Sequence, residues 1–172
     1  MKKLFAIGLA VCISLFAMTA CSSKDKETSS DSSPVSVYDI NEIAQAVEGV
    51  VVIDDSMDIG EDYLTWLGIP TDNVTAFAGK YCRSGDADSF NIVLVVEADD
   101  GTVDDVKSAI EAKKDAISAE SDLYSKETVE RLDSSIVYSK GNYVVWATSG
   151  VTDDMSAAYS NIQKSIENRF SK

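Results

Sequence analysis

Histidine is absent from all 172 residues. That removes the side chain most often used as a general base or metal ligand near neutral pH, and with it the His-containing triads and His-ligated zinc sites. Basic residues are scarce as well: 15 Lys and Arg stand against 29 Asp and Glu, a formal charge of −14. So acidic a surface is repelled by nucleic-acid phosphates and anionic lipid headgroups, so no nucleic acid is expected as a partner. It suits cationic partners, weakly held divalent cations and plain solubility. The Gly-x-Gly-x-x-Gly, phosphate-loop and Gly-x-Ser-x-Gly patterns are missing. A spanning helix needs about 20 apolar residues, whereas the longest apolar run, Leu4 to Met18, has 15. The next, Phe90 to Val96, is shorter still.

What is present begins at the N-terminus. Lys2 and Lys3 precede the apolar run, the small residues Thr19 and Ala20 follow it, and after Cys21 the chain turns polar at once. That order is the order of a secretory signal. Met18-Thr19-Ala20-Cys21 resembles the lipobox of bacterial lipoproteins, with Met18 where Leu is usual and similar in volume. The resemblance implies cleavage between Ala20 and Cys21 and a thioether-linked diacylglycerol, a palmitate-type anchor, on the Cys21 sulfur. Two acyl chains hold a protein stably at a bilayer, at about 0.8 kcal/mol per buried methylene. The expected location is therefore the cell membrane, lipid-anchored and facing outside the cytoplasm, with the bilayer as one partner.

The expected organisation is a signal peptide over 1–20, a flexible polar tether over 21–37 and one globular domain over 38–172. The Ser-, Lys- and Asp-rich tether cannot bury enough apolar surface to offset chain entropy. Loss of Lys2 and Lys3 leaves 13 basic against 29 acidic residues, a charge of −16. Cys12 leaves with the signal and Cys21 carries lipid, so Cys82 is the remaining thiol and reads as a small buried hydrophobe in a strand.

Along the domain, Asp39 with Glu42 three residues on reads as a helix start, and Ile43, Ala44 and Val47 share its apolar face. Val50–Ile53 is a brief β-branched run. Tyr63, Leu64, Trp66 and Leu67 suggest a short helix stopped by Gly68 and Pro70. Asn73–Arg83 reads as a strand with Val74, Ala76, Ala78 and Cys82 on one face, and Ser84–Asp88 as a turn. Phe90–Glu97 reads as a central strand. Thr102 caps a long helix with the stripe Val103, Val106, Ile110 and Ile117, followed by a short helix over 126–132. Ser135–Ser139 and Tyr143–Thr148 form a hairpin, in which Tyr138 and Tyr143 face each other. Thr152 caps a last helix whose core face is Met155, Tyr159, Ile162, Ile166 and Phe170.

The fold class is α+β: an antiparallel sheet of about four strands with helices packed on one face, preceded by an N-terminal helix. Gly101–Val106 resembles Gly150–Met155, and each follows a hairpin and opens a helix, so two duplicated strand-strand-helix units are a candidate architecture; common strand-to-helix turn chemistry is the other explanation. "EDYLTWLGIPTDNVTAFAGKYC" and "IVYSKGNYVVWATS" also resemble the domain-of-unknown-function family 4358 of bacterial lipoproteins. That resemblance implies location and fold without a mechanism.

Asp54, Asp55, Asp58, Glu61 and Asp62 put five acids within residues 54–62. Asp54 and Asp58 are candidate metal ligands, yet a calcium loop of the EF-hand type needs Gly where Ile59 stands and Glu where Thr65 stands. Asp86 and Asp88 are a second weak pair, in a turn that uses Asp for its own backbone bonds. No cofactor and no catalytic set is expected. The leading reading is a non-enzymatic interaction domain for an envelope protein, peptide or ligand; the alternative is a carboxylate- or metal-dependent envelope enzyme using the Asp54–Asp62 region. Trp66, Tyr81, Tyr138, Tyr143 and Trp146 could stack on sugars or peptides but read first as core.

Overall fold

The computed structural model describes residues 37–83, 90–121, 123 and 125–171. Ala20, Cys21, the tether before Val37 and the turn carrying Asp86 and Asp88 lie outside the described residues. The described chain falls within one compact unit, Ser36–Lys172. Its helices are α1 (Ile40–Glu48), α2 (Glu61–Leu67), α3 (Val103–Ser121), α4 (Lys126–Asp133) and α5 (Met155–Arg169); its strands are β1 (Ser56–Asp58), β2 (Val74–Cys82), β3 (Ile92–Ala98), β4 (Ile136–Lys140) and β5 (Tyr143–Thr148). The strands form one sheet in the order β1-β2-β3-β5-β4, with every neighbour antiparallel.

Each element starts where local chemistry directs it. The Asp39 carboxylate accepts the Asn41 and Glu42 N–H groups and caps α1. Gly68, at φ +79°, ends α2 in the left-handed conformation that glycine adopts without strain. Gly141, at φ +56°, lets Gly141-Asn142 join β4 to β5 in a two-residue turn.

Every residue of β3 and β5 is buried. Successive side chains of a strand point to opposite faces, so both faces of this sheet centre need a cover. On one face Ile92, Leu94, Val96, Val144 and Trp146 pack with Leu64 and Leu67 of α2, Val106 and Ile110 of α3, and Leu132 of α4. On the other, Val93, Val95, Val145 and Ala147 pack with Ile43 and Val47 of α1, Ile162 and Ile166 of α5, and Phe170. The α+β class is as expected, but the helices lie on both faces rather than one. An unbroken apolar strand demands that arrangement. The sheet also has five strands instead of about four. The fifth, β1, has all three residues exposed, so it carried no apolar pattern to read, while Val50–Ile53 forms no strand.

The candidate duplication does not extend to the packing. A two-fold axis exchanging antiparallel neighbours stands normal to the sheet and keeps each helix on its face, whereas α3 and α5 pack on opposite faces. The two helix starts differ as well. The Thr102 hydroxyl donates to the Asp99 and Asn73 carbonyls, and α5 is capped by Asp154, which accepts the Ala157 N–H at 2.9 Å. Thr152 does not cap it.

Two further details depart from the sequence pattern. The β2–β3 register shifts between Val74 and Ala76, a β-bulge that moves Ala76 and Ala78 to the face opposite Val74. Tyr138 and Tyr143 are not opposite one another: Tyr138 pairs with Val145 and Tyr143 with Lys140. Both rings meet Phe170 instead, with centroids at 5.5 and 5.8 Å. Phe170 is also where the domain's two ends join. The Tyr38 hydroxyl and the Lys140 ammonium both donate to its carbonyl, at 3.2 and 2.8 Å, and the Tyr38 N–H donates to the Tyr143 hydroxyl oxygen at 3.2 Å.

Candidate functional site

The acidic stretch does not converge. Asp54 and Asp55 occupy an exposed turn, Asp58 ends β1, and Glu61 and Asp62 start α2 at the end of the helix dipole that favours negative charge. Among the described residues no three Cys, Asp or Glu side chains are grouped so as to hold a metal ion. Cys82 is half-buried at the end of β2 rather than enclosed in the core. Tyr143 and Trp146 are core residues, as read from the sequence. Trp66 is not: it is 49% exposed, with the Lys113 ammonium 3.6 Å above its ring. Tyr63 stacks on Tyr81 at 3.9 Å and leans on Trp66 at 5.1 Å. Tyr63 thus has a ring on either neighbour, and Tyr81 has one face covered by Tyr63.

The edge formed by β1 and β2 is more informative. β2 has nine residues, but β1 pairs only with Lys80, Tyr81 and Cys82. One more bond follows, from the Ile59 N–H to the Gly79 carbonyl at 3.0 Å, and at Gly60 the chain swings into α2. The Cys82 N–H donates to Asn91 on the β3 side, whereas the Gly79 carbonyl accepts from the β1 side. By antiparallel alternation Phe77 therefore presents its N–H and C=O outward. Among the described residues no strand pairs with β2 beyond Lys80 on this side.

Two clefts flank that open edge. The first, about 350 Å³, lies between α1 and β2 and is lined by Asn41, Gln45, Glu48, Asp58, Gly79 and Lys80. It is polar, and Lys80 reaches Glu48 at 3.6 Å, leaving the Asp58 carboxylate as its excess charge. The second, about 320 Å³, lies between α2 and the start of β2 and is mainly polar too, with Glu61, Thr71 and Thr75 beside Leu64, Val74 and Phe77. Phe77 lines both. The clefts sit on opposite faces of the sheet, because Ala78 packs toward α1 while Val74 and Phe77 pack toward α2. Gly79 makes the close strand approach possible. Its φ is +137°, and a Cβ there would stand 1.9 Å from the Val93 carbonyl oxygen.

A buried polar group lies at the end of the sheet away from Tyr38. Arg131, 3% exposed, donates to Asn91 Oδ1 at 2.7 Å, to the Ser149 carbonyl at 3.3 Å and to Thr128 Oγ1 at 3.1 Å. The Tyr159 hydroxyl donates to the Arg131 carbonyl at 2.8 Å, so the group ties α4 to β3, β5 and α5. Burial raises the Tyr159 pKa, opposed by a hydrogen bond at Ser149 and by the Arg131 charge. No motif or charge run in the sequence singles out Arg131. Its available signal was helical spacing, since it shares the buried face of α4 with Thr128 and Leu132.

The architecture defines an α+β domain with two covered sheet faces, edged by β4 on one side and by β1 and the unpaired part of β2 on the other. Residues 53–149 match the family described as Domain of unknown function (DUF4358), and the chain belongs to that family. The match spans all five strands together with α2, α3 and α4; α1 and α5, which cover one face, lie outside it. No curated protein and no solved structure matches the chain.

Proposed function

We propose that this chain is a membrane-anchored, extracytoplasmic binding domain, held by diacylglycerol on Cys21 and offering a sheet edge to a protein or peptide of the envelope. The anchor reading rests on the N-terminal order of basic residues, apolar run, small residues, Cys21 and polar tether. The binding reading is carried by one observation: β2 is left open beyond Lys80, with a cleft on either side. An exposed strand edge is a template for another chain, and a protein that keeps one open accepts a risk of unwanted pairing unless the edge is used.

Two measurements test this. The full chain labels with radioactive palmitate and sediments with membranes, and Cys21→Ser does neither; continued labelling of the variant refutes the anchor. A photo-crosslinking residue at exposed Thr75, beside the edge, captures an envelope protein, whereas the same residue at exposed Lys164 on α5 does not. Equal capture from both positions, or none from either, refutes the edge as the binding surface.

A further inference from the structure

We infer that the open edge of β2 takes an extended basic peptide; this rests on the binding reading above and names its ligand. Three features of the edge converge on that chemistry. The first is the backbone. The Phe77 N–H and C=O face outward where β1 has ended, so an added strand gains main-chain hydrogen bonds, the recognition mode in which pockets for alternate side chains supply specificity. The stretch Thr75–Ala78 extends roughly 13 Å at about 3.3 Å per residue, enough for about four residues of partner strand.

The second feature is the position of the clefts. Alternate side chains of an added strand point to opposite faces, and the clefts open on opposite faces of this edge. One set of side chains enters the α1 side, the other the α2 side. The third is the chemistry of each. On the α1 side the ligand meets Asn41, Gln45, Asp58 and the Glu48–Lys80 pair, a polar lining with net negative charge that takes a Lys or Arg head. On the α2 side it meets Glu61, Thr71 and Thr75 beside Val74 and Phe77, again a mainly polar lining with a carboxylate in excess. The two linings are alike, each mainly polar with one carboxylate in excess, so basic side chains on either side of the added strand meet attraction.

A second copy of the chain fits less well. Its formal charge of −14 repels a like-charged molecule, and joining the same edge of two copies would set Asp58 and Glu61 near their own equivalents. A cationic peptide meets attraction in the same field.

The test uses the full chain and the blocked hexapeptide Lys-Val-Lys-Val-Lys-Val, with Glu-Val-Glu-Val-Glu-Val as its counterpart. Saturating Lys-Val peptide slows hydrogen exchange of the Phe77 amide by at least about tenfold, and the Glu-Val peptide leaves it unchanged. Glu48→Gln combined with Asp58→Asn weakens Lys-Val binding by about tenfold and leaves the unfolding midpoint within error. Unchanged Phe77 exchange overturns the inference; if crosslinking from Thr75 still captures a partner, only the ligand class has failed and the binding reading stands. Equal protection by both peptides overturns the charge assignment. Protection of Phe77 in a peptide-free dimer or peptide-free monomer overturns the inference in favour of a second copy or of the chain's own N-terminal segment.

Discussion

Tyr63 shows how one residue takes its behaviour from its neighbours. Its ring lies between Tyr81 and Trp66, and burial, with smaller effects from Tyr81 and Cys82, raises its pKa well above the usual tyrosine value. The fold thus favours the neutral phenol. Below a pH of about 10, where an unfolded tyrosine is also neutral, that contribution is fully present. As pH rises toward the folded pKa the unfolded state loses a proton that the folded state keeps, and stability falls. The expected slope from this residue is up to about 1.4 kcal/mol per pH unit above pH ~10. Urea unfolding of Tyr63→Phe between pH 8 and about 11 should therefore give a shallower alkaline decline than the parent, still sloping because Tyr159 is raised as well. Superimposable declines would show that Tyr63 is not held neutral. The sequence marked Tyr143 and Trp146 as core because aromatic residues in an apolar strand are more often buried than exposed. For Arg131 only its place on the buried face of α4 was legible, since its partners Asn91 and Ser149 are 40 and 18 residues away and meet it only in the folded chain.

Among the elements, legibility followed apolar periodicity. The five helices and four longer strands stand close to where side-chain spacing put them, since each buries a regular set of apolar positions against the sheet. β1 had no such set, being held by backbone pairing and by the Tyr81 hydroxyl, which donates to the Met57 sulfur at 3.7 Å, with its side chains exposed. The bulge in β2 was hidden for a related reason: both Val74 and Ala78 are apolar, so the pattern looks continuous across a change of face. The open edge, which depends on where β1 stops, was therefore unreadable, while the acids bordering it were plain. Gly79 is the position at which β2 is most exposed to damage. Gly79→Ala must accommodate both a φ of +137° and a Cβ 1.9 Å from the Val93 oxygen, so β2 has to move off β3. The expected loss is about 3 kcal/mol or more, read from the urea midpoint. Gly60→Ala is the control: its backbone is extended at φ −112° with nothing within 4 Å of the added carbon, and less than about 1 kcal/mol should be lost.

At the scale of the whole molecule the acidic excess acts on folding and on association in opposite directions. The net charge of −14 was evident in the sequence, though its relation to one sheet edge was not. Three ion pairs are present among the described residues, Lys80–Glu48, Lys114–Glu111 and Arg169–Glu42, so most of the carboxylates repel one another through solvent. Such repulsion opposes the compact state and is screened over about 10 Å at 0.1 M salt. Raising sodium chloride from about 0.02 M to about 0.5 M should then increase the melting temperature, by roughly 3 °C for each kcal/mol relieved in a domain of this size. Calorimetry of the full chain checks the sign, and a melting temperature that falls with salt would mean that attractive pairs dominate the field. The same screening should weaken capture of the Lys-Val peptide, because the carboxylates that strain the fold are those that draw a cation to the edge. Opposite salt responses of stability and peptide affinity in one preparation are the expected outcome. If both rise together, the peptide is held by apolar contact, and the acids around β2 serve solubility alone.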